Sequence, residues 1–140
     1  MTYVRLDLEE WIAQQEGLRL FPYKCPADKL TIGYGRNLEQ RGISADEARM
    51  MLKNDISLCQ QELSAFSWYS EQPDHIQDAL INMCFNLGLP CLLKFKKMIA
   101  ALEKKNYTQA AIEALDSRWA SQVGSRAKDI ALVISVGYGA

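Results

Sequence analysis

The run Ala79-Leu80-Ile81-Asn82-Met83-Cys84-Phe85 is apolar at every position but one, so as a helix it has almost no polar side to offer water and must be covered by neighbours. Its limits are also readable. Pro73 stands near a first turn, Gly88 is placed to stop the helix, and Pro90 lies two residues beyond, where it prevents continuation. The helices needed to cover it follow from the same kind of pattern. Ser44 with Glu47 matches a capping box, ahead of Ala48, Met51, Leu52, Ile56, Cys59 and Leu63 on one face. Leu92–Lys104 carries Phe95, Met98, Ile99 and Leu102; Thr108 can cap the next helix and Ser125 a last one over Arg126–Ser135.

The N-terminal part has another rhythm. Leu8, Trp11 and Ile12 recur at helical spacing after Asp7, a candidate N-cap, and Gly17 is placed to close that helix with Glu16 on its last turn. Leu18, Leu20, Leu30, Ile32 and Tyr34 then alternate with other residues around the turn Pro26-Ala27-Asp28-Lys29, which predicts a β-hairpin. Gly33 and Gly35 mark tight bends or close backbone approaches. The expected fold class is α+β, mainly helical. A single domain over residues 1–140 would carry a small N-terminal β-hairpin lobe and a helical lobe separated by a cleft, with Glu16 at the junction.

Composition narrows the function classes. With 49% hydrophobic and 24% charged residues, disordered and fibrous chains are disfavoured. A net charge of −1 argues against holding nucleic acid by general attraction. Between Cys91 and Lys128, eight Lys/Arg face three Asp/Glu. That surplus suits either an anionic polymer or solvated helix faces. Cys25, Cys59, Cys84 and Cys91 form no CxxC pair and His75 is the one histidine, so neither a metal site nor a cofactor is expected. Cys59 and Cys84 read as reduced core residues. Met1–Trp11 lacks the ~7–15 apolar residues of a secretory signal, and no run reaches the ~20 of a membrane span. The expectation is a soluble chain without stable membrane insertion, which needs another component to deliver it to a target outside the membrane.

Glu16-Gly17-Leu18-Arg19-Leu20, Tyr23-Lys24-Cys25 and Thr31-Ile32-Gly33-Tyr34-Gly35 together resemble the active-site segment of the phage-type lysozymes, glycoside hydrolase family 24. The likeness continues through Ala79-Leu80-Ile81-Asn82-Met83, Phe85 and Gly88, and closes with Ser117-Arg118-Trp119 and Arg126-Ala127-Lys128. The resemblance implies a lysozyme-like fold and hydrolysis of the β-1,4 bond between N-acetylmuramic acid and N-acetylglucosamine. The family pattern is a Glu, an Asp or Cys nine positions on, and a Thr six further; Glu16, Cys25 and Thr31 occupy all three places.

Chemistry gives those types a rationale. The departing glycosidic oxygen needs a proton, for which Glu16 is the candidate donor, and a second group must activate water or attack the anomeric carbon. Cys25 stands where Asp is usual. A thiol ordinarily titrates at about 8.5, so nearby positive charge would be needed to hold its anion at neutral pH, with Lys24 and Arg126 as possible sources. Thr31 would hold the attacking water. By the same resemblance Arg126 pairs with the catalytic Glu and Asn86 reaches sugar hydroxyls, whereas Asn82 reads as a structural hydrogen-bonder. Arg36 stands where the T-even phage enzyme has a histidine, a change bearing on how the glycan is gripped. The implied setting is a monomeric phage endolysin, made in the bacterial host cytoplasm, acting on peptidoglycan glycan strands in the periplasm and released by a holin-like protein. The alternatives are an inactive peptidoglycan-binding module of the same fold and a bacteriocin or effector domain.

Overall fold

In the computed structural model, which describes residues 7–138, the Asp7 carboxylate accepts the Glu10 amide at 2.9 Å and starts helix α1, Leu8–Glu16. Gly17, at φ 72°, ends it by returning its N–H to the Ala13 carbonyl. Strands β1 (Arg19–Lys24) and β2 (Leu30–Gly33) pair antiparallel, with Tyr23 opposite Thr31 and Lys24 opposite Leu30. A register shift between Arg19 and Tyr23 interrupts the ladder. The expected hairpin is one strand larger: β3 (Arg36–Asn37) adds to β2 and gives the order β1-β2-β3. Two residues are too few to show alternation, so neither β3 nor the single-turn helix α2 (Leu38–Arg41) leaves a periodic signal. Asn37 caps α2 by accepting the Gln40 amide at 3.0 Å.

Helix α3 (Ala45–Leu63) opens on the expected capping box, Glu47 N–H to Ser44 Oγ at 3.1 Å and Ser44 N–H to Glu47 Oε1 at 2.8 Å. The chain forms two compact units that divide inside this helix, Met1–Met50 and Met51–Ala140. Of the face predicted for α3, Cys59 and Leu63 are buried but Met51 is exposed.

In the second unit the apolar run lies in α5, Asp74–Leu87, preceded by Pro73 and closed by Gly88 at φ 81°. Ile76, Leu80 and Met83 are completely buried, each such side chain contributing roughly 1.5–3 kcal/mol. Short helix α4 (Ser67–Ser70) precedes it. Helices α6 (Leu89–Leu92), α7 (Lys96–Glu103), α8 (Tyr107–Leu115), α9 (Arg118–Val123) and α10 (Ser125–Val136) follow. Helix α10 packs on α5 and α8, and α7 on α8.

Three local expectations change. Pro90 sits in the first turn of α6, where its missing N–H costs nothing, so the predicted Leu92–Lys104 helix is interrupted and restarts at Lys96. Asn106 rather than Thr108 caps α8, its side chain accepting the Gln109 amide at 3.2 Å. Ser125 is already helical, with Gly124 (φ 61°) at the N-cap of α10. Among the described residues no helix is long and apolar enough to cross a membrane. The whole is an α+β fold in which helix dominates.

Candidate active site

Glu16 is the last residue of α1, so its exposed side chain leaves the helix where the backbone turns at Gly17. Its carboxylate rests against the bend between β2 and β3. A Cβ added to Gly35 would lie 2.7 Å from Glu16 Oε2 and 3.1 Å from Cδ, and Gly35 also adopts φ 77°. Glycine is required there on both counts, since a side chain would strain the backbone and displace the carboxylate.

Cys25 follows β1 and opens the tight turn predicted at Pro26–Lys29. Cys25 N–H donates to the Lys29 carbonyl at 3.0 Å, and Asp28 N–H to the Cys25 carbonyl at 2.8 Å. Asp28 takes φ 60°, a left-handed conformation that Asp tolerates. The β1–β2 register then brings Thr31 beside the thiol. Thr31 is buried, and its hydroxyl donates to the Lys29 carbonyl at 2.8 Å.

The Cys25 thiol is lowered from its ordinary pKa. The main cause is the Lys29 backbone N–H, helped by that of Ala27 and by the Thr31 hydroxyl, while partial burial opposes them. Thr31 has one hydroxyl proton, which can serve the Lys29 carbonyl or the Cys25 sulfur at any moment but not both. The anion is thus favoured by neutral donors and not by the lysine expected beside it. Lys24 Nζ is turned to Glu39 Oε1 at 3.2 Å.

Arg36 is similarly occupied. Its two terminal nitrogens grip Glu47 Oε1 and Oε2 at 2.8 and 2.6 Å, and it also donates to the Gly42 carbonyl at 3.1 Å. This bidentate pair, helped by the Ser44 N–H, lowers Glu47 from its ordinary 4.5 to about 2. The arginine therefore ties β3 to the start of α3.

In the second unit the exposed stripe of α5 carries Asn82 and Asn86. Arg126 Nε and a terminal nitrogen donate to Asn82 Oδ1 at 3.0 and 2.7 Å, which bears out Asn82 as a hydrogen-bonder. The same terminal nitrogen also reaches the Asn82 carbonyl at 3.4 Å, so these bonds use one edge of the guanidinium. Trp119 Nε1 donates to Asn86 Oδ1 at 2.7 Å and packs edge-on against Phe95, with ring centroids 6.1 Å apart. Among the described residues the Asn86 amide nitrogen has no hydrogen-bond partner, which leaves it to meet a ligand. Asn82 and Arg126 also line a largely apolar groove of about 370 Å³, together with Leu52, Ile56, Ile81 and Phe85.

Sequence reasoning brought Glu16, Cys25, Thr31, Asn86 and Arg126 forward but missed Glu39, which anchors Lys24, and Trp119 as the partner of Asn86. Glu39 lies in a helix of one turn, too short for a pattern. Trp119 had a weak signal in its indole N–H, which needs an acceptor when buried.

A mainly helical fold that carries this turn and this carboxylate defines a lysozyme-type class. Residues 13–139 match the phage lysozyme family, and the chain belongs to it. Membership supports a glycoside hydrolase acting on peptidoglycan. Among its relatives, "Probable T4-type lysozyme 2" of Dictyostelium discoideum is 24% identical, covering 94% of this chain and 95% of that protein. "Probable T4-type lysozyme 1" of the same organism is 28% identical over 68% of this chain and 58% of its own length. The pre-baseplate central spike protein Gp5 of Enterobacteria phage T4 is 24% identical over 94% of this chain, which corresponds to 28% of that protein.

Proposed function

We propose that residues 1–140 act as one N-acetylmuramidase domain that cuts the β-1,4 bond between N-acetylmuramic acid and N-acetylglucosamine, as a phage endolysin. Glu16 gives its proton to the departing oxygen. The Cys25 thiolate takes a proton from a water whose position Thr31 fixes, or attacks the anomeric carbon itself. With its proton on Lys29, Thr31 faces that water as an acceptor. Asn86 and Arg126 contact the sugars. The observation that carries the reading is the Cys25 turn, in which the Lys29 carbonyl holds both the Cys25 N–H and the buried Thr31 hydroxyl, and the thiol is lowered from its ordinary pKa. The setting that goes with it is a monomer made in the host cytoplasm, delivered by a holin-like protein to peptidoglycan in the periplasm.

The test is clearing of outer-membrane-permeabilised cells together with release of reducing ends from purified peptidoglycan. Glu16→Gln and Cys25→Ser are expected to abolish both, and Cys25→Asp to keep much of the activity. Clearing that survives Glu16→Gln removes the proposed acid. The product anomer, read by NMR, separates base from nucleophile. A second reading, a binding module without turnover, is favoured by the thiol in a carboxylate's place; retention on sacculi with no reducing ends from the unaltered protein would establish it.

A further inference from the structure

The peptide unit joining Lys29 to Leu30 is held at both ends. Its carbonyl accepts Cys25 N–H at 3.0 Å and the Thr31 hydroxyl at 2.8 Å. Its N–H donates at 2.9 Å to Glu39 Oε1, which also receives Lys24 Nζ at 3.2 Å. Glu39 is aimed at this amide by α2, a single turn closed at one end by the Asn37 cap and at the other by Gly42 N–H on the Leu38 carbonyl at 3.0 Å. The two ends reinforce each other, because a carbonyl that accepts two protons makes its own amide N–H a better donor.

We propose that Glu39 is a positioning residue for the thiol: by taking the Leu30 N–H it fixes the Lys29–Leu30 peptide plane, and through that plane's carbonyl the Thr31 hydroxyl and the Cys25 backbone that carries the sulfur. This rests on the reading of Cys25 as a working thiolate. The Glu39 carboxyl is itself lowered, first by the Leu30 N–H and then by Lys24, as an anion used as an acceptor should be. The charged groups of the turn and of β1, β3 and α2 beside it are Arg19, Lys24, Asp28, Lys29, Arg36, Glu39 and Arg41; Arg36 is paired with Glu47, and Lys24 with Glu39.

Simple charge arithmetic and positioning predict opposite signs. Removing a nearby negative charge should by itself ease ionisation of the thiol; removing the anchor should hinder it. The measurement is the pH profile of alkylation of the half-buried Cys25 by iodoacetamide, followed by peptide mass spectrometry in a Cys91→Ser background, because Cys91 is exposed. Glu39→Ala is expected to move the midpoint upward and to slow alkylation at pH 7 about 3- to 10-fold, in step with the lost thiolate fraction. Glu39→Gln keeps a carbonyl for the Leu30 N–H, so its midpoint should stay at or below that of the parent. A Glu39→Ala midpoint that falls or stays put overturns the proposal. Near-UV circular dichroism verifies folding. Should Glu39→Ala fail to fold, Lys24→Met decides instead: positioning leaves its alkylation rate within about 3-fold, whereas a larger loss makes Lys24 the direct support of the anion and overturns the proposal. The alkylation profile bears on Glu39 alone. Peptidoglycan cleavage by Cys25→Ser, measured in parallel, would instead refute the function proposed for the thiol.

Discussion

Gly35→Ala should separate the geometry of Glu16 from the stability of the fold. The new methyl would stand 2.7 Å from Glu16 Oε2. To reach an ordinary contact of 3.4 Å the carboxylate must retreat by about 0.7 Å, which an exposed side chain can do at little energetic cost. A displacement approaching 1 Å at a reacting group can nevertheless lower the rate by about 100-fold. The backbone adds its own penalty, since alanine at φ 77° costs about 1–2 kcal/mol, or about 3–10 °C in Tm for a chain of this size. Gly33 supplies the control. It has φ 69° but open space around the position a Cβ would take, so Gly33→Ala bears the same strain without the collision. Thermal unfolding and reducing-end release on both variants should give similar Tm losses, with activity lowered about 10- to 100-fold only in Gly35→Ala. Equal activity in the two alanine variants would refute the claim that Gly35 sets the position of the acid.

The other expectations concern how each unit is held. Glu47 has its pKa depressed in the folded chain, so its bonds to Arg36 and Ser44 contribute stability fully present above 4.5 and lost as pH falls toward about 2; an acid titration followed by near-UV circular dichroism should show loosening in that window, and Glu47→Gln should lack it. Trp119→Phe keeps a ring against Phe95 but removes the donor to Asn86 Oδ1, which should lower stability by about 1 kcal/mol in denaturant unfolding. An unchanged midpoint would mean that Asn86 finds another partner.

Much of this was legible because the chain marks its own boundaries. Asp7 and Gly17 bracket α1, the capping box opens α3, and Gly88 closes α5, each by a mechanism local enough to be read within a few residues. The apolar run of α5 announced a helical core in the same way. What stayed hidden depends on contacts between distant positions. Nothing near Lys24 reveals that Glu39 will claim its ammonium, and nothing near Arg36 reveals Glu47, so both cations looked available when neither is. Pro90 was read as barring continuation of α5, which does end at Leu87, but it also sits in the first turn of α6, because proline suits a first turn as well as it suits an ending. Thr108 lost the cap to Asn106 for a related reason, as the two residues offer equivalent oxygens two positions apart.

The turn that cradles Cys25 has a bearing on where such a protein can work. Ion pairs weaken as dissolved salt accumulates, because mobile counterions gather around each partner. Amide dipoles fixed within a few ångströms of a sulfur are too close for counterions to intervene, so the reactivity of that atom should survive brine and dilute buffer alike.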